Sequence, residues 1–237
     1  MDRLLATRLE ADVHHVRSED RRRNIDLTLG LIQSYFVDKD PPLLGHGKGL
    51  AVDFENSLRR SKIETPRYEF KQGIYRLNDG RERDDGVLVK LVEEACAIAN
   101  LGPESNGFIF IGVADSETDS IRVKQLDNIN PIQIGNVFVV GVDREATLAN
   151  QRLELYVRLI VSSIRTSDLS EPLKSDMLGC VDTIEYRGMS VIRITVPTQK
   201  EMGWVGEQTF IREGSETRGA SAKQIAALVQ RFATTKA

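Results

Sequence analysis

A run of seven residues at 107–113, Gly-Phe-Ile-Phe-Ile-Gly-Val, limits the possible folds of this chain more than any other segment. A strand that is apolar at nearly every position is typical of a strand covered on both faces. We therefore expect the central strand of a sheet here. The run at 136–142 predicts a further strand, and apolar residues at helical spacing over 87–99 predict a helix that packs on the sheet.

A second strand is predicted from Arg67 to Lys71, where polar residues alternate with aromatic ones. Because successive side chains of a strand point to opposite faces, Tyr68 and Phe70 should face the core. Glu69 should then lie on the polar face, together with Arg67 and Lys71.

The closing third of the chain predicts a β-hairpin. Residues 181–186 and 190–196 have the composition of strands and flank the turn residues Arg187-Gly188. Residues 208–212 predict one more short strand.

The remaining segments differ in how regular they are. Residues 116–136 are polar and irregular, whereas a helix is expected near 145–166. Ser221 followed three residues later by Gln224 resembles a capping box that opens a last helix. The apolar face predicted for that helix consists of Ile225, Leu228, Val229 and Phe232.

The N-terminal part reads differently from the rest. Apolar residues recur at helical spacing, with a loop at about 38–49 before a short helix at about 50–60. A length of 237 residues fits either one large core or a core domain with an appendage. We predict an N-terminal helical appendage at 1–61 and, at 62–237, an α+β domain with a mixed β-sheet flanked by helices.

The composition places the chain among ordinary globular proteins, with 41% apolar and 28% charged residues and no apolar run long enough for a membrane span. The N-terminus lacks the hydrophobic run of a signal peptide, so we expect a cytoplasmic protein with no membrane partner. Cys96 and Cys180 are too few for a disulfide scaffold, and we expect both to be reduced.

The charge balance bears on nucleic-acid binding. A net charge of −3 argues against a protein that coats nucleic acid indiscriminately, because that kind of binding depends on Lys and Arg. Short basic clusters at 21–23 and 59–62 fit either part of a phosphate-facing surface or a solvated helix face.

Motifs for common cofactors are missing from the sequence. There is no Gly-x4-Gly-Lys-Ser/Thr loop and no Gly-x-Gly-x-x-Gly after a predicted strand, so no nucleotide cofactor is expected. The three histidines, at positions 14, 15 and 46, do not have metalloprotease spacing.

Several short motifs occur in a fixed order. They are Glu-x4-Glu-Phe-Lys at 64–71, Ala99-Asn100, Ile-Gly-Val at 111–113 with Asp115 after it, Val196-Pro197, and Phe-x-Arg-x-Gly-Ser at 210–215. In this order they resemble the Schlafen-type, AlbA-like nucleic-acid-binding domain over about residues 64–218. Each motif alone is short and weak, and the order carries the resemblance.

The resemblance implies a metal-dependent site. In nuclease members of that family, two glutamates and an aspartate cut structured RNA such as tRNA, and by motif position these residues correspond to Glu64, Glu69 and Asp115. Mg²⁺ or Mn²⁺ suits such a site, because hard cations take carboxylate oxygens and activate water. Glu64 must precede the strand, redirected by Thr65-Pro66, since residues five apart on a regular strand face opposite ways.

Basic residues complete the predicted nucleic-acid surface. Lys71 and Arg67 lie beside Glu69 in sequence. Arg212 and Arg218 flank a glycine turn that fits either phosphate binding through its amides or a helix-entry turn with solvated arginines. Trp204, in a loop between glycines, fits either base stacking or the edge of the core.

The same residues have simpler explanations. Glu69 and Lys71 also fit a salt bridge on a solvated face, and Asp115 fits a turn-forming acid after a strand. The chain also departs from the family pattern, with a longer turn at 100–107 and Ala114 where a second acid is usual.

Two functions therefore stay open. The first is a nucleic-acid-processing domain, either a divalent-metal endoribonuclease acting on tRNA-like or single-stranded RNA or a non-cutting relative, with a role in bacterial defence or regulation by analogy. The second is a nonenzymatic DNA-binding or protein-interaction module of the transcriptional-regulator kind, in which the N-terminal helices form a homo-oligomer through their apolar faces.

Overall fold

The computed structural model of the protein describes residues 48–60 and 66–234. Contacts between residues divide the chain into two compact units, Met1–Asp53 and Phe54–Ala237. Within the described ranges, no helix is long and apolar enough to cross a membrane. The predictions that lie outside these ranges are the helices before residue 48, the basic cluster at 21–23, the three histidines and Glu64.

The fold is α+β, with a mixed sheet flanked by helices. The strands of the described part are β1 (Tyr68–Lys71), β2 (Gly107–Ile111), β3 (Val113–Ala114), β4 (Ile132–Ile134), β5 (Val137–Val139), β6 (Val181–Tyr186), β7 (Met189–Val196), β8 (Phe210–Glu213) and β9 (Glu216–Gly219). The helices are α1 (Lys48–Arg60), α2 (Asp85–Ala99), α3 (Glu117–Asp127), α4 (Asp143–Leu148), α5 (Leu153–Thr166), α6 (Leu173–Leu178) and α7 (Ala222–Ala233).

The main sheet has the strand order β1-β2-β7-β6. Strand β2 pairs in parallel with β1 and antiparallel with β7, so the apolar run forms an interior strand, as the sequence predicts. Ile109 and Ile111 are fully buried in the main core, where they join Leu91 and Ile98 of α2. The carboxyl ends of β1 and β2 therefore lie at the same edge of the sheet.

The opposite face of this sheet carries aromatic rings. Phe70 of β1 stacks on Phe110 of β2 with 5.9 Å between ring centroids. Phe54 of α1 packs edge-on against Phe110 at 5.3 Å and against Tyr186 of β6 at 5.5 Å. Both faces of β2 are thus covered, as its apolar sequence requires.

Gly112 ends β2 and sends the chain into a second sheet with the order β3-β5-β4. Its φ of +103° is one that L side chains rarely adopt, and an added Cβ would lie 3.2 Å from the backbone of Gly141. Its N–H donates to the carbonyl of Lys71 at 2.8 Å, which fixes the turn against the end of β1. The expectation of one continuous strand over 107–113 is therefore wrong at this glycine.

Two segments differ from the predictions: one contains regular structure that was not expected, and the other is divided into two helices. The stretch 116–136 contains helix α3, capped by the Ser116 side chain, and strand β4, so it is not irregular. The helix expected near 145–166 is two helices, α4 and α5, separated at Asn150, whose φ is +49°.

The closing third follows the predictions with additions. Arg187 and Gly188 both have positive φ and join β6 to β7 as a hairpin, and Ser221 and Gln224 form the capping box of α7. Val229 of that helix is 53% exposed instead of buried. Helix α6 and strand β9 have no counterpart in the predictions.

The two cysteines differ in burial. Both are free, and Cys96 of α2 has no exposed surface, whereas Cys180 is half-buried. Burial raises the pKa of the Cys96 thiol to about 11.

Candidate functional site around Glu69

Glu69 lies on β1 with only 8% of its side chain exposed. Its face of the strand is polar, as predicted, but it is covered instead of solvated. Both carboxylate oxygens have cationic partners: Oε1 accepts from Lys71 Nζ at 2.5 Å, and Oε2 accepts from Arg212 Nη1 at 2.7 Å. The salt-bridge explanation of Glu69 and Lys71 thus applies, although the bridge is buried.

Lys71 joins this acid to a second one. Its Nζ also donates to Glu94 Oε1 on α2 at 2.8 Å. Glu69, Lys71, Glu94 and Arg212 together form what we call the Glu69 cluster, in which two acids and two bases meet in a largely buried position. Charges so removed from water are costly unless they are paired, and Glu69 pairs with both bases of the cluster.

The pKa values in the Glu69 cluster follow from burial and pairing. Burial raises the pKa of Glu94 to about 7, because it outweighs the opposing charge of Lys71, and the charge of Glu69 adds to the rise. Burial acts to lower the pKa of Lys71, but the charges of Glu94 and Glu69 outweigh it and raise that pKa. Lys71 therefore stays protonated at neutral pH.

Arg212 connects strand β8 to β1. Its side chain has no exposed surface, and besides Glu69 it donates to Thr217 Oγ1 at 3.0 Å and to the carbonyl of Tyr68 at 3.2 Å. This predicted phosphate contact thus faces Glu69, and it can reach a phosphate only if that contact opens.

Asn100 holds the strand that carries Arg212 against helix α2. Its Nδ2 donates to Thr209 Oγ1 and to the carbonyl of Phe210, both at 2.9 Å, and its Oδ1 accepts from the N–H of Gly203 at 2.7 Å. The Ala-Asn motif therefore has a structural task, since it fixes the chain just before β8.

Asp115 lies directly after β3 and is exposed. Partial burial raises the pKa of Asp115, the charges of Asp119 and Glu69 add to the rise, and Lys71 opposes it. These influences place Asp115 within electrostatic reach of the Glu69 cluster, although its position also fits the simpler explanation of a turn-forming acid.

The other predicted basic residues are exposed. Arg67 precedes β1, and its carbonyl accepts from the N–H of Phe108 at 2.8 Å. Arg218 pairs with Glu216 and, at 3.3 Å, with Glu213, so its charge is balanced on the β8–β9 hairpin. Trp204 is half-buried, and its backbone bonds to Ser170 tie it to the edge of the core.

No group of three or more His, Cys, Asp and Glu side chains within residues 48–60 and 66–234 is arranged to hold a metal ion. Glu64, the third predicted ligand, lies outside those ranges. Glu94 is not among the predicted site residues, although a signal for it is present: it lies among buried apolar residues of α2, where an acid is unexpected.

A second buried acid holds the loop after β1. Glu145 of α4 is fully buried, accepts from the N–H of Ile74 at 2.8 Å and from the hydroxyl of Tyr156 at 2.6 Å, and forms an ion pair with Arg144 Nη2 at 3.0 Å. Arg144 in turn donates to the carbonyl of Gln72 at 2.5 Å. We call these residues, Gln72, Ile74, Arg144, Glu145 and Tyr156, the Glu145 clamp.

The Glu145 clamp leaves no room at Gly73. A Cβ there would lie 1.9 Å from Glu145 Oε1. The path of the chain directly after Lys71 is therefore fixed by a carboxylate that no local sequence pattern reveals.

Comparisons with known proteins place these motifs in context. The model of the family described as Schlafen, AlbA_2 matches residues 64–221. Comparison with curated proteins finds no match. Among solved structures, the crystal structure of the DIP2311 protein from Corynebacterium diphtheriae is similar, with a TM-score of 0.45 and 15% sequence identity. The similarity covers 76% of this chain and 28% of that one, so this chain spans little more than a quarter of the DIP2311 chain.

Proposed function

The chain belongs to the Schlafen, AlbA_2 family, and we propose on that basis that it is a divalent-metal-dependent endoribonuclease centred on Glu69. The family suggests interaction with nucleic acid. The proposal adds that tRNA-like or single-stranded RNA is cut, with Mg²⁺ or Mn²⁺ as the metal.

One observation carries the proposal. Asp115 and Glu69 come from separate stretches of chain, and the N–H of Gly112, three residues before Asp115, donates to the carbonyl of Lys71, two residues after Glu69, at 2.8 Å. Acids brought together in this way are the ligands that hard divalent cations prefer. We propose Glu64 as a third ligand on its motif position alone.

The metal, when bound, would activate water and neutralise charge on the phosphodiester. The residues of the chain supply the rest. Glu69 and Asp115 would hold the cation with their carboxylates, and Lys71, Arg67 and Arg218 would contact phosphates, whereas Arg212 would contact one only after its bond to Glu69 opens. Arg212 also keeps Glu69 oriented through the 2.7 Å bond to its Oε2.

The test is incubation of the purified chain with labelled tRNA, single-stranded RNA and duplex DNA, in Mn²⁺ or in chelator. We expect RNA fragments that require the metal and disappear in Glu69→Ala and Asp115→Asn. Glu207→Ala, at an exposed loop position, is the control and should cut normally. Fragments that persist in Glu69→Ala would contradict the assignment of the site.

A specific observation also favours a second function, nucleic-acid or protein binding without cleavage. Both oxygens of Glu69 already have cationic partners, so a metal ion must displace one of them. Salt-sensitive binding with no fragments in Mn²⁺ would support this function. A homo-oligomer formed through the N-terminal helices belongs to this second proposal.

A further inference from the structure

We propose that the ammonium group of Lys71 occupies a divalent-cation site whose ligands include Glu69 and Glu94. The inference rests on the proposed function, because it concerns the same cluster. It adds a ligand, Glu94, that the motif positions do not contain, and it gives Lys71 a role as the competing cation.

The first observation is geometric. Lys71 Nζ lies 2.5 Å from Glu69 Oε1 and 2.8 Å from Glu94 Oε1, between acids supplied by β1 and α2. Mg²⁺ binds oxygen at about 2.0–2.1 Å. To bind a metal ion at the same point, Glu69 Oε1 therefore needs to approach by about 0.5 Å and Glu94 Oε1 by about 0.7 Å.

The second observation is an unsatisfied atom. Glu94 Oε2 is buried and has no hydrogen-bond partner among residues 48–60 and 66–234, on a side chain that is only 8% exposed. A buried carboxylate oxygen without a partner is unfavourable. Its burial therefore indicates that a group other than the described residues binds there. A cation bound through both oxygens of Glu94, or through one oxygen and a metal-bound water, is such a group.

The charges of the Glu69 cluster support exchange of the Lys71 ammonium for a divalent cation. With both acids ionised, Lys71 and Arg212 balance Glu69 and Glu94. Replacing the ammonium by a divalent ion adds one positive charge to the cluster, which favours an incoming phosphate. It also releases Lys71, whose flexible four-carbon stem lets the ammonium reach that phosphate.

The experiment measures Mn²⁺ binding to the full chain without nucleic acid, by calorimetry and by the electron paramagnetic resonance signal of free Mn²⁺. Lys71→Met removes the competing ammonium, so Mn²⁺ should bind at least about tenfold more tightly than to the unsubstituted chain. Adding Glu94→Gln to Lys71→Met should abolish that gain.

Matched controls lie on the same helix. Lys90→Met removes an exposed lysine and Glu93→Gln removes the neighbouring acid, and neither should change Mn²⁺ affinity more than about twofold. If Lys71→Met does not fold by circular dichroism, Lys71→Gln keeps a polar chain of similar length and serves the same purpose. A gain insensitive to Glu94→Gln, or no gain in folded Lys71→Met or Lys71→Gln, overturns the inference.

The outcomes separate this inference from the proposed function. Tight Mn²⁺ binding that needs Glu94, in a chain that cuts no RNA, upholds the cation site and defeats the nuclease. RNA cleavage that needs Glu69 but proceeds normally in Glu94→Gln, with no Mn²⁺ gain in Lys71→Met, upholds the nuclease and overturns the cation site.

Discussion

Glu145 and Glu94 are both buried glutamates on helices beside the end of β1, but their partners differ. Glu145 accepts from two backbone N–H groups and a tyrosine hydroxyl and forms an ion pair with an arginine, so both oxygens are satisfied. Glu94 has one oxygen on Lys71 and one without a partner in the part of the chain that the structure describes. A completed set of hydrogen bonds marks a scaffold residue, whereas an incomplete set marks a position where another group can bind.

The largest expected effect sharpens this contrast through unfolding in denaturant. Glu145→Gln should lower the free energy of unfolding by about 3–5 kcal/mol, because it leaves Arg144 buried with one acid fewer. Glu94→Gln at pH 8 should cost less than about 1 kcal/mol, since it removes a poorly partnered buried charge. Equal losses in the two variants would break the comparison.

A loss of about 3 kcal/mol is expected for Asn100→Ala, which leaves several buried polar groups around Gly203 and Phe210 without partners. Because Asn100 fixes the chain that carries Arg212, the same variant should also weaken the hold on Glu69. Denaturant unfolding gives the first effect. Asn106→Ala, in an exposed turn nearby, is the control and should change stability by less than about 0.5 kcal/mol.

The pH dependence of stability tests the Glu94 side of the comparison. Its pKa rises on folding from 4.5 to about 7, so its contribution to stability is fully present below pH 4.5 and is lost as pH rises through about 7. Lys71, Glu69 and Arg212 are the charged groups that face it.

Between pH 5 and pH 8 the unsubstituted chain should therefore lose about 2 kcal/mol relative to Glu94→Gln, measured by denaturant unfolding at both values. Glu93→Gln, on the same helix, should run parallel to the unsubstituted chain. If Glu94→Gln also ran parallel, the burial of an ionisable acid at this position would be disproved.

The smallest effect concerns an exposed pair. Arg218 and Glu216 have side chains 60% and 64% exposed, and Arg218→Ala should change stability by less than about 0.5 kcal/mol. If Arg218 contacts phosphate, the same variant should weaken RNA binding several-fold in a filter-binding assay at low salt. A large loss of stability would show that the hairpin belongs with the buried clusters.

Strong local patterns gave a good part of the fold. A short stretch of sequence is enough to recognise each of four features: the apolar run of β2, the periodicity of α2, the turn of the β6–β7 hairpin and the capping box of α7. Helix α3 was not predicted, because it buries only Ser120 and Val123 and so has no apolar stripe in its sequence. The break at Gly112 escaped because the residues on both sides of it are apolar and buried.

The site was less predictable for a related reason. The order of the motifs predicts Glu69, Lys71 and Arg212 as site residues. It does not predict that the side chain of Arg212 donates to Glu69 on β1. Glu94 pairs with a lysine far away in sequence, and Glu145 binds the backbone of a distant loop. Such partners depend on the tertiary fold, which local periodicity does not encode.

The buried thiol of Cys96 makes local opening around α2 measurable. Cys96 is two residues beyond Glu94 on the same helix, fully enclosed, with its pKa raised to about 11. An alkylating reagent can therefore modify it only while the packing around its sulfur, which includes Gly203 and Phe210, is open. The half-buried Cys180 reacts without such an excursion and calibrates the reagent. The labelling rate of Cys96 in the native chain therefore reports how often the packing around this part of the helix opens, with no engineered probe.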